Sequence, residues 1–172
     1  IEDDPCYVFH AMNAYTEGDK IVADMMQFEE APLFPHVDGS APDAKKAEAR
    51  LNRWEIDLSS NSGKINKNLL DDDMGEFPRL DERFSMIDYR HGFYASRIGD
   101  PSGISWNAIA HHVHRTGNKK FFVVDKEDEV GEPIFVPTSG DAEEGNGFLI
   151  TLAYKGKENR SDLLIFNAMD VE

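Results

Sequence analysis

The segment Tyr7-Val8-Phe9-His10-Ala11-Met12-Asn13-Ala14-Tyr15 decides the fold class, because its aromatic and β-branched residues favour an extended strand. A second run of this type extends from Ile21 to Phe28, and the acidic turn Glu17-Gly18-Asp19 separates the two. Two strand-forming runs joined by a short turn that contains glycine predict a β-hairpin. This part of the chain is therefore expected to be antiparallel β-structure.

The same texture, short apolar runs between polar turns, extends over the rest of the chain. From Trp54 to Leu58 apolar and acidic residues alternate, which is typical of a half-buried strand. Ser62-Gly63-Lys64 is predicted to turn the chain into a returning strand over Ile65 to Leu70. The later predicted strands are Tyr89 to Ser96, Ile104 to His114, Phe121 to Asp125, Pro133 to Val136, Phe148 to Tyr154 and Leu163 to Phe166.

One segment, Pro42 to Arg50, departs from this texture and is rich in helix formers. Pro42 lies near its start, and Ser40 is a candidate N-cap. The segment predicts one short helix within a long connection.

A weak internal repeat favours one β-architecture over the others. A strand at Trp54 to Asp57 runs into a turn at Gly63, and a strand at His112 to His114 runs into a turn at Gly117, 54 residues later (117 minus 63). Strand, glycine turn and strand, repeated at such a spacing, suggest propeller blades. A β-sandwich gives a similar texture, so the repeat alone leaves both architectures open.

Charge and composition exclude some classes of partner. The chain has 33 acidic and 18 basic residues, a net charge of -15, which repels nucleic-acid backbones and anionic membrane surfaces. No apolar run is long enough to span a bilayer. The single cysteine, Cys6, cannot form an internal disulfide and fits a reducing compartment such as the bacterial cytoplasm. Three acidic clusters are predicted to be solvated loops: Asp71-Asp72-Asp73, Glu127-Asp128-Glu129 and Asp141 to Glu144.

The histidines offer candidate metal ligands. His10 lies in an apolar strand, where a neutral imidazole is either a ligand for iron, zinc or copper or a hydrogen-bonded core residue. Cys6 lies four residues earlier on the same strand face, so a catalytic cysteine–histidine pair is conceivable, although a lone buried cysteine is commoner. His112 and His114 share a strand face without a third ligand nearby, while His111 points away.

The two remaining histidines, His36 and His91, have the sequence contexts of structural residues. Two carboxylates are better placed for chemistry: Glu76 follows Gly75 and Glu132 follows Gly131, each in an otherwise apolar stretch. A carboxylate that enters a core needs a partner. That partner is either an arginine such as Arg79 or the N–H of a metal-bound histidine, and the residues alone leave both open.

Four segments together resemble the carotenoid cleavage and lignostilbene oxygenase family. They are, in the family's order, Phe9 to Tyr15 with Gly18 and Ile21 to Asp24, then Gly75 to Arg83, then Glu132 to Pro137, then Arg160 to Phe166. The segments Leu33 to Gly39, Leu51 to Trp54 and Tyr89 to Gly92 look more like bacterial lignostilbene dioxygenases than like plant or animal carotenoid enzymes. Thr16 departs from the pattern, because many relatives place an acid directly after the tyrosine; here Glu17 follows.

The resemblance implies an all-β fold, a seven-bladed propeller with iron(II) on its axis held by four histidines. His10 would be the third ligand, two would precede Ile1 and one would follow Glu172, while Glu76 and Glu132 would orient ligand histidines. Residues 1–172 would then be a single partial propeller domain, truncated at both ends, with about three to four blades and one short helix in a connecting loop.

The implied activity is oxidative cleavage of a carbon–carbon double bond by dioxygen, in a stilbene-type or carotenoid/apocarotenoid substrate, with two carbonyl products. This chain alone would be inactive, since one histidine cannot hold catalytic iron. A different reaction at the same iron site, and a propeller that serves only as a non-catalytic binding module or relic, remain the alternatives.

Overall fold

The computed structural model describes residues 1–60, 63–99 and 106–171, and within these ranges the chain is almost entirely β-structure. One 3-10 helix, Glu82–Phe84, interrupts the strands. The strands are β1 (Tyr7–Glu17), β2 (Lys20–Phe28), β3 (Arg50–Asp57), β4 (Asn66–Leu69), β5 (Met74–Leu80), β6 (His91–Arg97), β7 (Ala108–Val113), β8 (Asn118–Val123), β9 (Asp128–Val130), β10 (Ile134–Pro137), β11 (Gly147–Lys155) and β12 (Arg160–Asn167).

The strands form three antiparallel sheets that follow one another along the chain. Sheet 1 has the order β1-β2-β3-β4 and sheet 2 the order β5-β6-β7-β8. In sheet 3, β12 pairs along one edge of β11, while β9 and β10 pair with different parts of its other edge. The predicted first hairpin is confirmed: Glu17 pairs with Lys20, and Gly18 makes the turn with a φ of 58°, a conformation that glycine adopts at little cost.

Two apolar clusters hold the sheets together, and sheet 2 lies between them. One cluster joins sheet 1 to sheet 2 through residues such as Met26, Leu51 and Tyr94. The other joins sheet 2 to sheet 3 through residues such as Phe93 and Leu149. Phe93 and Tyr94 are neighbours on β6 and point to opposite faces, so the middle sheet is buried on both sides.

This succession of sheets distinguishes the two architectures that the sequence left open. A sandwich has two facing sheets, whereas sheets packed in series, with the middle one covered on both faces, are the arrangement of consecutive propeller blades. The prediction of an all-β partial propeller is confirmed, with three sheets in the described residues, within the expected range of about three to four blades.

The predicted short helix over Pro42 to Arg50 is wrong. The segment makes a single turn, in which Ala47 N donates to the Asp43 carbonyl oxygen at 2.9 Å. The turn does not continue because the Lys46 carbonyl accepts from two N–H groups of the loop after β2 instead of a next helical turn. Arg50 then begins β3 and pairs across the sheet, so tertiary contacts override the helix propensity of the segment.

The acidic clusters are not uniformly solvated, because each contains one buried carboxylate: Asp71, Asp128 and Glu144. Asp71 accepts the Tyr94 hydroxyl at 2.5 Å. Asp128 begins β9 and accepts Gly156 N at 3.1 Å. Glu144 accepts two backbone N–H groups at the start of β6, at 2.5 and 3.0 Å. These carboxylates satisfy backbone and hydroxyl donors between strands, as buried acids must.

Two ends of predicted elements, Ser62 of the turn and Ile104 of the later strand, lie outside the described residues. The described remainder of that strand is β7. Of the residues that the structure describes, none belongs to a helix with the length and apolar character needed to cross a membrane.

Candidate metal centre and the adjoining cavity

The structure brings His10 and Glu76 together across the boundary between sheets 1 and 2. His10 Nδ1 lies 2.6 Å from Glu76 Oε2, although the two residues are 66 positions apart in the chain. Both lie where strand pairing is irregular: the β1 register shifts between Val8 and Ala11, and the β5 register shifts between Glu76 and Arg79. Such bulges re-aim side chains, which explains how residues of two different sheets meet.

The backbone after Glu76 holds its carboxylate in place. Phe77 N donates to Glu76 Oε2 at 2.7 Å, and Phe77 adopts a φ of 56°, in the left-handed region that a phenylalanine rarely occupies. Burial raises the pKa of the Glu76 carboxyl, the Phe77 N–H and His10 lower it, and the charge of Glu132 raises it further. Glu76 Oε1 is buried and has no hydrogen-bond partner among the described residues.

The two ring nitrogens of His10 have different surroundings, because Nδ1 contacts Glu76 and Nε2 does not. With Glu76 ionised, Nδ1 carries the proton and donates it to the carboxylate, so Nε2 keeps its lone pair. The His10 side chain is 47% exposed, against 5% for Glu76. An imidazole fixed at Nδ1 and open at Nε2 is the arrangement of a metal-ligating histidine.

An apolar cavity of about 690 Å³ lies beside this pair. Aromatic rings gather around His10: the Phe77 ring lies 5.5 Å from the imidazole and the Phe9 ring 6.3 Å from it, and Trp106 packs on Phe77 at 6.1 Å. The loop between β2 and β3 closes another wall with Pro32, Leu33 and Pro42. A volume of this size with mostly apolar walls and a few polar groups is typical of a small-molecule site.

Glu132 has an arginine partner. Arg79 Nε donates to Glu132 Oε1 at 2.7 Å, and the Glu132 side chain is 40% exposed. Of the two partners that the sequence left open, the described residues supply the arginine. Glu132 nevertheless lies near enough to Glu76 for its charge to raise that carboxyl's pKa.

The other candidate residues lie elsewhere. Cys6 precedes β1 and lines a separate hollow with Gln27 and Lys67. His36 pairs with Glu30 in the loop after β2, with His36 Nε2 3.3 Å from Glu30 Oε2. None of these side chains joins His10 at the wall of the apolar cavity.

The remaining four histidines are buried in and around sheet 2. His112 and His114 share a face as predicted, with ring centroids 4.9 Å apart, while His111 points the other way and stacks on Phe93. His91 Nδ1 lies 2.9 Å from His111 Nε2. The only group of three potential metal ligands close together in the described residues is Asp71-Asp72-Asp73, and Lys119 Nζ already pairs with all three.

One polar feature of the cavity was missed by the sequence analysis. Arg97 and Glu48 form an ion pair at the cavity wall, with Arg97 Nη2 3.0 Å from Glu48 Oε1. The two residues lie 49 positions apart, and neither belongs to a recognisable motif. The Pro32-Leu33 wall had a weak signal in the proline-rich apolar stretch Ala31 to His36.

Comparisons with known proteins place the chain among oxygenases. Residues 1–172 match the family described as retinal pigment epithelial membrane protein. The chain is 34% identical to an isoeugenol monooxygenase of Pseudomonas nitroreducens, over 96% of this chain and 37% of the relative. It is also 34% identical to lignostilbene-alpha,beta-dioxygenase isozyme III of Sphingomonas paucimobilis, over 96% of this chain and 36% of the relative. The chain therefore spans just over a third of the length of these relatives.

Solved structures give the same result. A lignostilbene dioxygenase of Pseudomonas brassicacearum superposes with a TM-score of 0.89 at 30% identity, over 96% of this chain and 37% of that one. A cobalt-substituted Synechocystis ACO superposes with a TM-score of 0.83 at 27% identity, over 96% and 34%. Because the family match takes in every residue, the chain belongs to the retinal pigment epithelial membrane protein family, which is the carotenoid cleavage and lignostilbene oxygenase family that its motifs resemble.

Proposed function

We propose that the protein is a non-haem iron(II) dioxygenase that cleaves a carbon–carbon double bond of a stilbene-type or carotenoid/apocarotenoid substrate into two carbonyl products. The observation that carries the proposal is the His10–Glu76 contact, 2.6 Å long, at the wall of an apolar cavity. The names of its relatives, which include a lignostilbene dioxygenase and an apocarotenoid oxygenase, support the reaction class.

The residues present fit a bound iron ion. A neutral imidazole is a suitable ligand for iron, and a carboxylate behind it fixes the tautomer and raises the basicity of the coordinating nitrogen. The negative charge of Glu76 would also offset part of the charge of the cation. One similar structure is that of a cobalt-substituted protein, which supports the proposal of a metal site.

Iron(II), when bound, supplies the reactivity towards dioxygen that organic side chains lack. The residues of this chain have three other tasks. Glu76 keeps the proton on His10 Nδ1, Phe77 N–H holds Glu76 in its orientation, and the aromatic side chains around His10 bind an apolar alkene and exclude water. Glu132 is proposed to orient a further ligand histidine, one that this chain does not contain.

The remaining iron ligands would come from other parts of the protein. Apart from His10, every histidine of the chain is either buried in and around sheet 2 or, in the case of His36, paired with Glu30. Residues 1–172 are accordingly proposed to be one part of a larger propeller and to be inactive in isolation. A reducing bacterial cytoplasm, which suits both ferrous iron and the free Cys6, is the proposed location.

The test is the substitution His10→Ala in the full-length protein, with His36→Ala as the matched control on the surface. Iron content after purification and cleavage of a hydroxystilbene and of an apocarotenal are measured for each protein. His10→Ala should lose most of its iron and all cleavage, while His36→Ala should keep both. Full iron content and activity in His10→Ala would overturn the proposal, and ligand binding without any iron would favour a non-catalytic binding module. The two substrates distinguish stilbene from carotenoid cleavage.

A further inference from the structure

The loop between β2 and β3, residues 29–49, has an apolar side and a charged side. All of these residues are described, and none belongs to a helix or a strand. The apolar side forms one wall of the cavity, which six residues of the loop line: Pro32, Leu33, Ala41, Pro42, Ala44 and Ala47. The charged side carries Glu29, Glu30 and Lys46, which line the separate hollow that Cys6 also lines. Without a ladder of backbone bonds, the loop depends on side-chain contacts to keep its apolar side in position.

The Glu30 carboxylate connects the two limbs of this loop. Its Oε2 accepts the backbone N–H of Asp43 at 3.0 Å, and its Oε1 lies 3.2 Å from Lys46 Nζ. The Asp43 N–H belongs to the peptide bond after Pro42, and Ala44 follows, so this hydrogen bond holds the backbone between two residues that line the cavity. Glu30 N also donates to the Lys46 carbonyl oxygen at 3.0 Å. Side chain and backbone of Glu30 thus bind the same returning limb of the loop.

A third contact of Glu30 leads away from the cavity. His36 Nε2 lies 3.3 Å from Glu30 Oε2. His36 belongs to the tip of the loop, residues 34–40, and none of these described residues lines the cavity. The tip faces solvent, and its Val37 side chain is fully exposed. The contact with His36 therefore fixes the tip, whereas the contact with Asp43 fixes the wall.

The two side-chain contacts of Glu30 with the returning limb differ in strength. The Lys46 side chain is 52% exposed, and an exposed ion pair of this kind contributes little because water and salt screen it. A carboxylate that accepts a backbone N–H makes a charge-assisted hydrogen bond, roughly twice as strong as a neutral one. The Asp43 N–H and Lys46 hold the pKa of the Glu30 carboxyl below its usual range, so the group is charged at neutral pH. The hydrogen bond from Asp43 is accordingly the stronger contact.

We propose that Glu30 is a positioning residue for ligand binding, which holds the Pro42 side of the loop in place as a wall of the apolar cavity through its hydrogen bond with the Asp43 N–H. An apolar ligand binds the arrangement in which this wall is in place. A variant whose wall is in place for only a fraction of the time binds the same ligand more weakly, in proportion to that fraction. Only the identification of the ligand as the substrate of a cleavage reaction rests on the proposed function.

The experiment measures binding of diphenylhexatriene, an uncharged polyene that fluoresces in apolar surroundings, to the metal-free full-length protein. Glu30→Ala removes the acceptor of the Asp43 N–H and should weaken binding about 10-fold, as for a wall that is in place about a tenth of the time. Glu30→Gln keeps an oxygen that accepts this N–H and should recover the affinity to within about 3-fold of the wild type. Because Glu30 lies outside both apolar clusters, the two variants should remain folded.

Hydrogen exchange of the loop shows whether the affinity changes through the position of the wall. In the wild type, bound diphenylhexatriene should slow the exchange of the amides of residues 43–47. In Glu30→Ala without the probe, these amides should exchange about 10-fold faster, since the segment opens more often. In Glu30→Gln they should exchange at nearly the wild-type rate. A purely structural role of Glu30 would lower the melting temperature without linking the exchange of this segment to the affinity for the probe.

His36→Ala and Lys46→Met are the matched controls. His36→Ala removes a contact of the same carboxylate oxygen, but one that leads to the tip, so it should bind the probe like the wild type. Lys46→Met keeps the length of the side chain and removes only the screened ion pair. It should weaken binding by less than about 3-fold.

Equal affinity of Glu30→Ala and the wild type overturns the inference, as does weaker binding in Glu30→Ala without faster exchange of residues 43–47. Equal losses of affinity in Glu30→Ala and His36→Ala, or failure of the probe to bind the wild-type protein, overturn it as well. None of these results bears on the iron content of His10→Ala, so the failure of this inference is distinguishable from the failure of the proposed function.

Discussion

Two residues with irregular backbone surroundings create the candidate iron site. His10 lies in a stretch of β1 with shifted register, and Glu76 directly precedes Phe77, whose φ is 56°. A phenylalanine in this region costs of order 1–3 kcal/mol, and such strain persists where surrounding contacts over-determine it. Here the Phe77 N–H bonds the Glu76 carboxylate, and the Phe77 ring packs on His10 and Trp106. The strained residue thus serves both the carboxylate and the cavity wall.

The contact between Glu76 and His10 predicts a loss of metal affinity in Glu76→Gln. An amide oxygen still accepts the Nδ1 proton but carries no charge, so it stabilises a cation less well. We expect iron retention in the full-length protein to fall on the order of 10- to 100-fold. Iron is measured after dialysis against a graded chelator. Glu82→Gln is the control, because Glu82 is 77% exposed near the end of the same strand. Equal iron retention in the two variants would contradict the assigned role.

The role of Glu132 can be separated from its ion pair with Arg79 by a double-mutant cycle. If Glu132 orients a further ligand histidine, Glu132→Gln should lower iron retention on the order of 10-fold or more, even in the Arg79→Met background. If the ion pair is its only function, Glu132→Gln should have no further effect once Arg79 is replaced. Iron content and thermal stability are measured for all four proteins. Loss of the ion pair can change thermal stability, but only a change in iron content shows that Glu132 orients a ligand histidine.

At the scale of elements, the sequence predicts strands where apolar periodicity and turn residues agree. The hairpin at Gly18 and the alternation from Trp54 to Leu58 are local patterns, and the structure has strands β1, β2 and β3 there. β5 was not recognised because Gly75 and Pro78 interrupt its apolar pattern. The prediction of a helix over Pro42 to Arg50 was wrong, because two backbone N–H groups of the loop after β2 donate to the Lys46 carbonyl oxygen, which a continuing helix would need.

The candidate site was predictable only in part. His10 could be selected as a strand histidine, but its partner Glu76 lies 66 residues away, and the family resemblance indicated Glu76 only as a carboxylate that orients a ligand histidine, not which one. For Glu132 the sequence left two kinds of partner open, an arginine or a metal-bound histidine, and the structure shows the arginine, Arg79. The Arg97–Glu48 pair could not be found, because packing between sheets 1 and 2 brings the two residues together, and single-sequence patterns do not encode contacts between distant segments.

Two buried histidines in and directly after β7, His111 and His114, predict that the folded protein loses stability at low pH. Burial lowers the pKa of His114 from 6.5 to about 3, although the nearby Asp24 charge opposes the shift. Both His114 nitrogens are buried without a hydrogen-bond partner in the described residues, and the ring packs on Tyr89 at 4.4 Å. Burial likewise lowers the pKa of His111 to about 4. Both rings are therefore neutral in the folded protein at pH 5.

An unfolded chain takes up these protons near pH 6.5, so it binds more protons than the native state below that pH. Stability is then complete above pH 6.5 and falls as the pH is lowered towards 3, by roughly 2 kcal/mol per histidine at pH 5. His114→Leu, of similar volume, should flatten this dependence. The melting temperature of the full-length protein at pH 7 and pH 5 is the measurement, with His36→Leu as the control. Parallel losses in wild type and His114→Leu would contradict the assignment.

At the scale of the whole molecule, the three sheets differ in what covers them. Sheet 2 is buried on both faces, whereas sheet 3 presents an apolar outer face in which Leu152, Leu163 and Ile165 are each 60% exposed. Leu152 and Leu163 are direct partners in the β11–β12 ladder, so they form a continuous patch. Contiguous exposed apolar patches mark surfaces that bind another protein surface. In a propeller, the surface that covers such a patch is the face of the adjoining blade.

This patch predicts different behaviour for residues 1–172 alone and for the full-length protein. The isolated chain should self-associate, with an average mass by sedimentation that rises with concentration, and Leu152→Lys with Leu163→Glu should abolish the rise by placing opposite charges across the ladder. In the full-length protein the same pair of substitutions should lower stability, because each buried leucine side chain contributes about 1.5–3 kcal/mol. Denaturant unfolding measures that loss. A monomeric isolated chain at all concentrations, together with full-length stability that the two substitutions leave unchanged, would show that no blade covers this face.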